Sequence, residues 1–151
     1  MEQAKVIQCV KERLERMGYK VDALPDGYGA GVDIFARKNG EKFFVEAAGE
    51  SQTRRGDQDI LICIGEIVKR IEERGFEIHY GIAIPESLSQ FIRNLGIGGL
   101  QALELYLFIV YEYGLVYCLN PQKTVEYVRR LRAGEPIYIS LMDVDYKPPE
   151  G

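Results

Sequence analysis

Two acidic residues, Asp33 and Glu46, occupy positions from which they could act together. They lie in the segment GVDIFARKNGEKFFVEAAGE, residues 31–50, and Asn39-Gly40 near its centre is a strong signal for a two-residue β-hairpin turn. Counting outward from this turn along both strands sets Asp33 directly opposite Glu46. Facing residues have Cβ atoms about 5 Å apart, so two carboxylates in these positions repel each other.

A divalent cation between the two carboxylates would remove this repulsion. Hard cations such as Mg²⁺ are bound by one or two carboxylates together with water, and Mn²⁺ prefers the same oxygen ligands. Because side chains alternate along a strand, position 48 points to the same face as Glu46. The hairpin therefore predicts a divalent-metal site at Asp33 and Glu46.

The rest of the chain must supply the elements that position this hairpin. Apolar periodicity and turn residues predict helices over residues 3–17, 57–73, 86–95 and 122–134. The same signals predict strands over residues 19–24, 31–38, 41–48, 77–85, 104–112, 115–120 and 137–142. This order predicts a single α/β domain over residues 1–151, with a mixed β-sheet flanked by helices.

The layout resembles the PD-(D/E)xK, or restriction-endonuclease-like, nuclease superfamily. Its core is an initial helix, a strand, an Asp-bearing hairpin and a second helix, and this chain is similar to it over residues 3–85. Asp33 matches the family's Asp, Glu46 matches its second acid, and Ala48 falls on its lysine. Gln58, near the start of the second predicted helix, resembles the glutamine of the family's helix.

The resemblance implies a Mg²⁺- or Mn²⁺-dependent endonuclease that acts on DNA. The metal would be held by Asp33, Glu46 and the backbone carbonyl of Ala47, and it would generate the attacking hydroxide. Ala48 departs from the pattern, so we expect the present form to be impaired. Since cutting two strands takes two sites, the resemblance also implies a homodimer. The predicted DNA contacts are basic residues around the hairpin and its following loop: Lys38, Lys42, Arg54 and Arg55.

Many relatives carry a glutamate on the first helix that helps to hold the metal. Helical periodicity turns Glu12 toward solvent and places Gln3 nearer the apolar stripe. Glu12 is assigned no metal role because it faces solvent. Gln3 is assigned none because the first turn of a helix is prone to fray.

Other interpretations stay open. Asp33 and Glu46 could be solvated acids on an exposed sheet face, and the basic residues could be ordinary surface charges. Three functions are consistent with the sequence. The chain could be a metal-dependent nuclease, or a form of one in which the lysine has been altered to Ala48. It could instead be a non-catalytic relative that binds nucleic acid or metal, or an assembly protein that associates through its apolar C-terminal strands.

Composition limits these functions further. The chain has 23 acidic and 19 basic residues, which argues against broad non-specific adhesion to nucleic acid. The most apolar run, residues 105–110, is too short to span a bilayer, and the N-terminal segment lacks the apolar core of a signal peptide. Cys9, Cys63 and Cys118 form no CxxC pair and are expected to be reduced thiols of a cytoplasmic protein.

Overall fold

The computed structural model describes residues 1–22, 32–72 and 74–137. Its helices are α1 (Gln3–Arg16), α2 (Gly56–Arg70), a 3₁₀ helix (Glu86–Asn94), α3 (Ile97–Leu103) and α4 (Pro121–Ala133). Its strands are β1 (Lys20–Val21), β2 (Ile34–Lys38), β3 (Glu41–Ala47), β4 (Ile78–Pro85), β5 (Leu105–Val110) and β6 (Val116–Leu119). The last two residues of the strand predicted at 19–24, the whole of the loop that the glycines and proline of residues 25–31 predict, and all but the first residue of the strand predicted at 137–142 lie outside the described residues.

The six strands form one mixed sheet in the order β1-β2-β3-β4-β5-β6. The first three strands are antiparallel, β3, β4 and β5 are parallel, and β6 returns antiparallel to β5. Parallel neighbours need crossover connections, and here these contain α2 and then the 3₁₀ helix with α3. The predicted α/β class, a mixed sheet flanked by helices, is confirmed, whereas a single domain over residues 1–151 stays a prediction.

The hairpin that carries the acids has the predicted register. Asn39 and Gly40 have φ angles of 48° and 86°, the positive values that a type I′ turn requires at both central positions. Lys38 faces Glu41 across the turn, and the pairing continues outward to Ile34 and Val45.

Each face of the sheet packs against its own helices. On one face, α1 buries the apolar stripe that its period predicts, with Val6, Val10 and Leu14 fully buried. On the other face, α2, the 3₁₀ helix and α4 cover β3, β4 and β5. Because side chains alternate along each strand, the same strands contribute apolar residues to the cores on both faces of the sheet.

Several boundaries differ from those predicted. Helix α2 ends at Arg70, earlier than expected, and residues 86–94 form a 3₁₀ helix. Helix α3 was not predicted, because glycines at 98 and 99 lower helix propensity. Within the described ranges, no helix is long and apolar enough to cross a membrane.

Candidate functional site

The predicted acid pair lies at the open end of the hairpin. Asp33 comes just before β2, and its Oδ2 accepts a hydrogen bond of 2.8 Å from the backbone amide of Ala47. Glu46 lies on β3 and is only 4% exposed. Burial raises the pKa of Glu46 to about 8, and a hydrogen bond with the Asp33 carboxyl and repulsion from it add to the rise. Glu46 is therefore largely protonated at neutral pH.

Arg70, the last residue of α2, is a partner of Glu46 that the sequence did not identify. Its Nε lies 3.2 Å from Glu46 Oε1, and the contact opposes the rise in the pKa of Glu46. Arg70 also lies 3.9 Å from Glu66, one helical turn earlier. The four-residue spacing of Glu66 and Arg70 predicts only the ion pair between them on the helix. Nothing in the local sequence predicts that Arg70 also contacts Glu46 on β3.

Gln3 also reaches the acid pair, although its place in the first turn of α1 argued against a role. Its Nε2 donates to Ala47 O at 3.0 Å and to Asp33 Oδ2 at 3.3 Å. The first turn of α1 packs against the loop after β3, which brings Gln3 to the acids. Glu50 N donates to the carbonyl of Met1, and the Gly49 backbone lies against that of Gln3.

Ala48, at the lysine position of the resemblance, is buried beyond the end of β3. Its backbone amide donates to Ala83 O at 2.9 Å, which holds it beside β4. Ala48 lines a pocket of about 280 Å³ together with Gln3, Arg54 and Asp59. The pocket adjoins the acid pair because Gln3 and Ala47, which line it, both donate hydrogen bonds to Asp33.

Gln58 lies in the exposed first turn of α2. Its side-chain oxygen accepts a hydrogen bond of 3.1 Å from the backbone amide of Arg55, an arrangement that caps the helix. The structure thus gives Gln58 a structural role, and its predicted catalytic role stays a prediction.

The four basic residues predicted to contact DNA occupy two separate places. Lys38 donates to the Met17 carbonyl at the turn end of the hairpin, and Lys42 lies on β3, four residues and roughly 13 Å from Glu46. Arg54 and Arg55 precede α2, near the open end. Of the four, Arg54 lines the pocket beside Ala48.

Cys63, on the inward face of α2, lines the same pocket but is not a reactive thiol. Burial raises the pKa of Cys63 to about 12, and repulsion from the carboxyl groups of Asp33, Glu46, Asp59 and Glu66 adds to the rise. A neutral thiol is a poor nucleophile and a poor metal ligand at pH 7.

The oxygen atoms at the open end of the hairpin are of the type that binds a hard cation. Two carboxylates and the Ala47 carbonyl are oxygen ligands of the type that Mg²⁺ and Mn²⁺ take. Gln3 and Arg70 already engage these atoms. Over the described residues, no group of three or more His, Cys, Asp or Glu side chains is arranged to hold a metal ion. Water or phosphate oxygens would therefore have to complete a metal's ligand set.

Comparison with solved structures finds proteins of similar fold. No protein-family model and no curated protein matches the chain. An XisH family protein from Nostoc punctiforme superposes with a TM-score of 0.56 at 19% identity, over 75% of this chain and 96% of that one. An FdxN element excision controlling factor protein from Anabaena variabilis superposes with a TM-score of 0.55 at 14% identity, over 76% of this chain and 96% of that one. Identities this low show a shared fold.

Proposed function

We propose that this chain is a metal-dependent, endonuclease-like protein of the restriction-endonuclease-like superfamily, whose site is impaired by Ala48. The observation that carries the proposal is the contact between buried Glu46 and Asp33 at the open end of the hairpin. A buried carboxyl group held against a second carboxyl group destabilises a fold unless a proton or a cation balances the charge. A divalent cation bound between Asp33 and Glu46 would balance this charge, which explains why the two acids lie together.

DNA is the substrate that we propose. One structural neighbour is an FdxN element excision controlling factor protein, and control of excision suggests DNA as the class of partner. The loop before α2 also brings two arginines to the end of the hairpin that holds the acids.

Bound Mg²⁺ or Mn²⁺ would supply an activated water and offset charge on the phosphate. Asp33, Glu46 and the Ala47 carbonyl would hold the metal. Gln3 orients two of these groups by donating to both Asp33 and Ala47. Glu46 must lose its proton before it can act as a ligand. Ala48 offers no ammonium to orient the water or to stabilise the developing charge, so cleavage by this form would be slow or absent.

A second function, binding without cleavage, is favoured by Arg70. Its guanidinium contacts Glu46, so the chain already offsets part of the charge that a metal would neutralise. In this alternative the domain binds nucleic acid, and the acid pair is a remnant of the catalytic site.

The Ala48→Lys substitution tests the nuclease proposal. We expect the lysine variant to cut DNA with Mg²⁺ or Mn²⁺ roughly 10²–10³ times faster than the parent, the usual contribution of one preorganised charge-stabilising group. Cleavage would be measured on single-stranded, nicked and duplex DNA. Ala48→Met is the control for bulk, and Ala48→Lys combined with Asp33→Asn is the control for the metal site.

Calorimetry with Mn²⁺ separates the two functions. The nuclease proposal requires Mn²⁺ binding that Asp33→Asn weakens strongly. Equal Mn²⁺ binding by the parent and by Asp33→Asn would rule out the proposed metal site. A folded Ala48→Lys variant that binds metal and DNA without cutting would leave binding without cleavage as the function.

We also propose that the protein is a cytoplasmic homodimer. Strand β5 is enclosed between β4 and β6 and is largely buried, which disfavours assembly through it. Large apolar side chains are instead exposed on the outer face of α2, where Leu61, Ile62 and Val68 are each about half exposed. Light scattering at tens of micromolar should give the mass of a dimer for the parent and of a monomer for Leu61→Lys; a monomeric parent would contradict the proposal.

A further inference from the structure

Asp59 is a buried acid in the first turn of α2. Its side chain is 5% exposed, and its Oδ1 accepts a hydrogen bond of 2.9 Å from Arg54 Nε. Its Oδ2 is buried and has no hydrogen-bond partner among the residues that the structure describes. A buried carboxylate that loses its cation leaves an uncompensated charge, so Asp59 holds Arg54 firmly in place.

Arg54 is held at the pocket beside Ala48. The side chains of Arg54 and Asp59 line this pocket together with Gln3, which contacts the acid pair. Arg54 is about half exposed, and its bond to Asp59 uses Nε. The two Nη groups of a guanidinium bonded in this way can donate to two oxygens of one phosphate.

The neighbouring Arg55 provides a natural comparison. It pairs with Asp57, an acid 31% exposed in the same segment, and it is itself largely exposed. Exposed pairs of this kind contribute little and rearrange easily. The two adjacent arginines thus differ in two respects: Arg54 lines the pocket and pairs with a buried acid, whereas Arg55 lies outside the pocket lining and pairs with a more exposed acid.

We propose that Arg54, positioned by Asp59, is the phosphate-binding cation of this pocket and supplies the positive charge that Ala48 lacks. The inference deepens the proposed function and rests on it for the identity of the substrate. Glu50 also lines the pocket, and its carboxylate accepts a hydrogen bond from Ser87. Arginine stays protonated, so Arg54 can hold a phosphate but cannot transfer a proton. The site therefore binds phosphate more readily than it cuts DNA.

Fluorescence anisotropy with a labelled DNA duplex in EDTA tests this assignment without metal or cleavage. We expect Arg54→Gln to weaken binding about tenfold and Arg55→Gln, its matched control, to change binding less than twofold. Equal losses for the two variants, or no loss for Arg54→Gln, would overturn the proposal, as would a parent protein that does not bind the duplex. None of these results bears on Mn²⁺ binding by Asp33 and Glu46, which tests the proposed function separately.

The positioning role of Asp59 is tested by a double-mutant cycle. Asp59→Asn should weaken DNA binding in the parent and have no further effect in the Arg54→Gln background. The NMR signal of Arg54 Nε–H should move to the position of a free arginine in Asp59→Asn, with the melting temperature recorded alongside. Additive losses, or an unchanged Nε–H signal in a folded variant, would show that Asp59 does not position Arg54. If Asp59→Asn does not fold, the comparison of Arg54 and Arg55 decides the proposal.

Discussion

The two faces of β3 serve different purposes. Phe43, Val45 and Ala47 point toward α1, and all three are buried among apolar side chains. The alternate positions include Glu46, and Ala48 continues this series toward α2. One strand therefore packs the core on one face and carries the proposed site on the other.

This division shows why the polar groups are tolerated. Toward α1, the side chains of Phe43, Val45 and Ala47 are all apolar and buried, so α1 packs closely against this face of the sheet. The face toward α2 contains a buried acid that is balanced by a proton and by Arg70. The two faces meet at Gln3, where the first turn of α1 reaches around the end of β3 to the acids.

The sharpest way to break this arrangement is Gly49→Ala. A Cβ at Gly49 would lie 2.3 Å from Gln3 N and 2.8 Å from Gln3 Cα, and a backbone cannot yield as a flexible side chain can. We expect a loss of about 1–3 kcal/mol in the free energy of unfolding, the usual cost of overpacking. Urea unfolding would measure the loss, and the variant should also weaken Mn²⁺ binding because Gln3 is displaced.

Gly65→Ala is the matched control. Gly65 lies within α2, is exposed, and has open space where its Cβ would stand. Alanine is the better helix former, so we expect this variant to be more stable than the parent by about 0.4–1 kcal/mol. If both alanine variants behave alike, close packing at Gly49 does not fasten α1.

The sequence predicted the hairpin well because its information is local. Asn39-Gly40 sets the turn, the turn sets the register, and the register places Asp33 next to Glu46. The apolar stripe of α1 was equally clear because it is a repeated local pattern. The apolar positions predicted for α2 included Leu61 and Val68, which the structure leaves about half exposed. Element ends were less predictable because tertiary contacts decide them.

The partners of the acids could not be predicted in the same way. Gln3 reaches Asp33 across 30 positions, and Arg70 reaches Glu46 across 24. Asp59 lies within an amphipathic helix, and only packing shows that it faces inward. These contacts depend on how the helices sit against the sheet, which no local spacing encodes.

The last prediction concerns the proton on Glu46, which distinguishes the two faces of β3 most directly. Burial, together with Asp33, raises the pKa of Glu46 from its ordinary value of 4.5 to about 8 despite the contact with Arg70. Between these values the folded protein holds a proton that the unfolded chain has released. Stability should therefore fall as pH rises from about 5 to 8, by at most ~1.4 kcal/mol per pH unit.

Glu46→Gln removes this titration while keeping the shape of the side chain. Urea unfolding of both proteins across this pH range should give a flatter profile for the glutamine variant. Mn²⁺ must displace the same proton, so the affinity of the parent for Mn²⁺ should rise with pH by up to tenfold per unit. A parent whose stability follows the same slope as that of Glu46→Gln between pH 5 and 8 would show that Glu46 is already ionised in the fold. In that case Arg70 would outweigh both burial and Asp33, and the proposed metal site would already hold its cation in the form of a guanidinium.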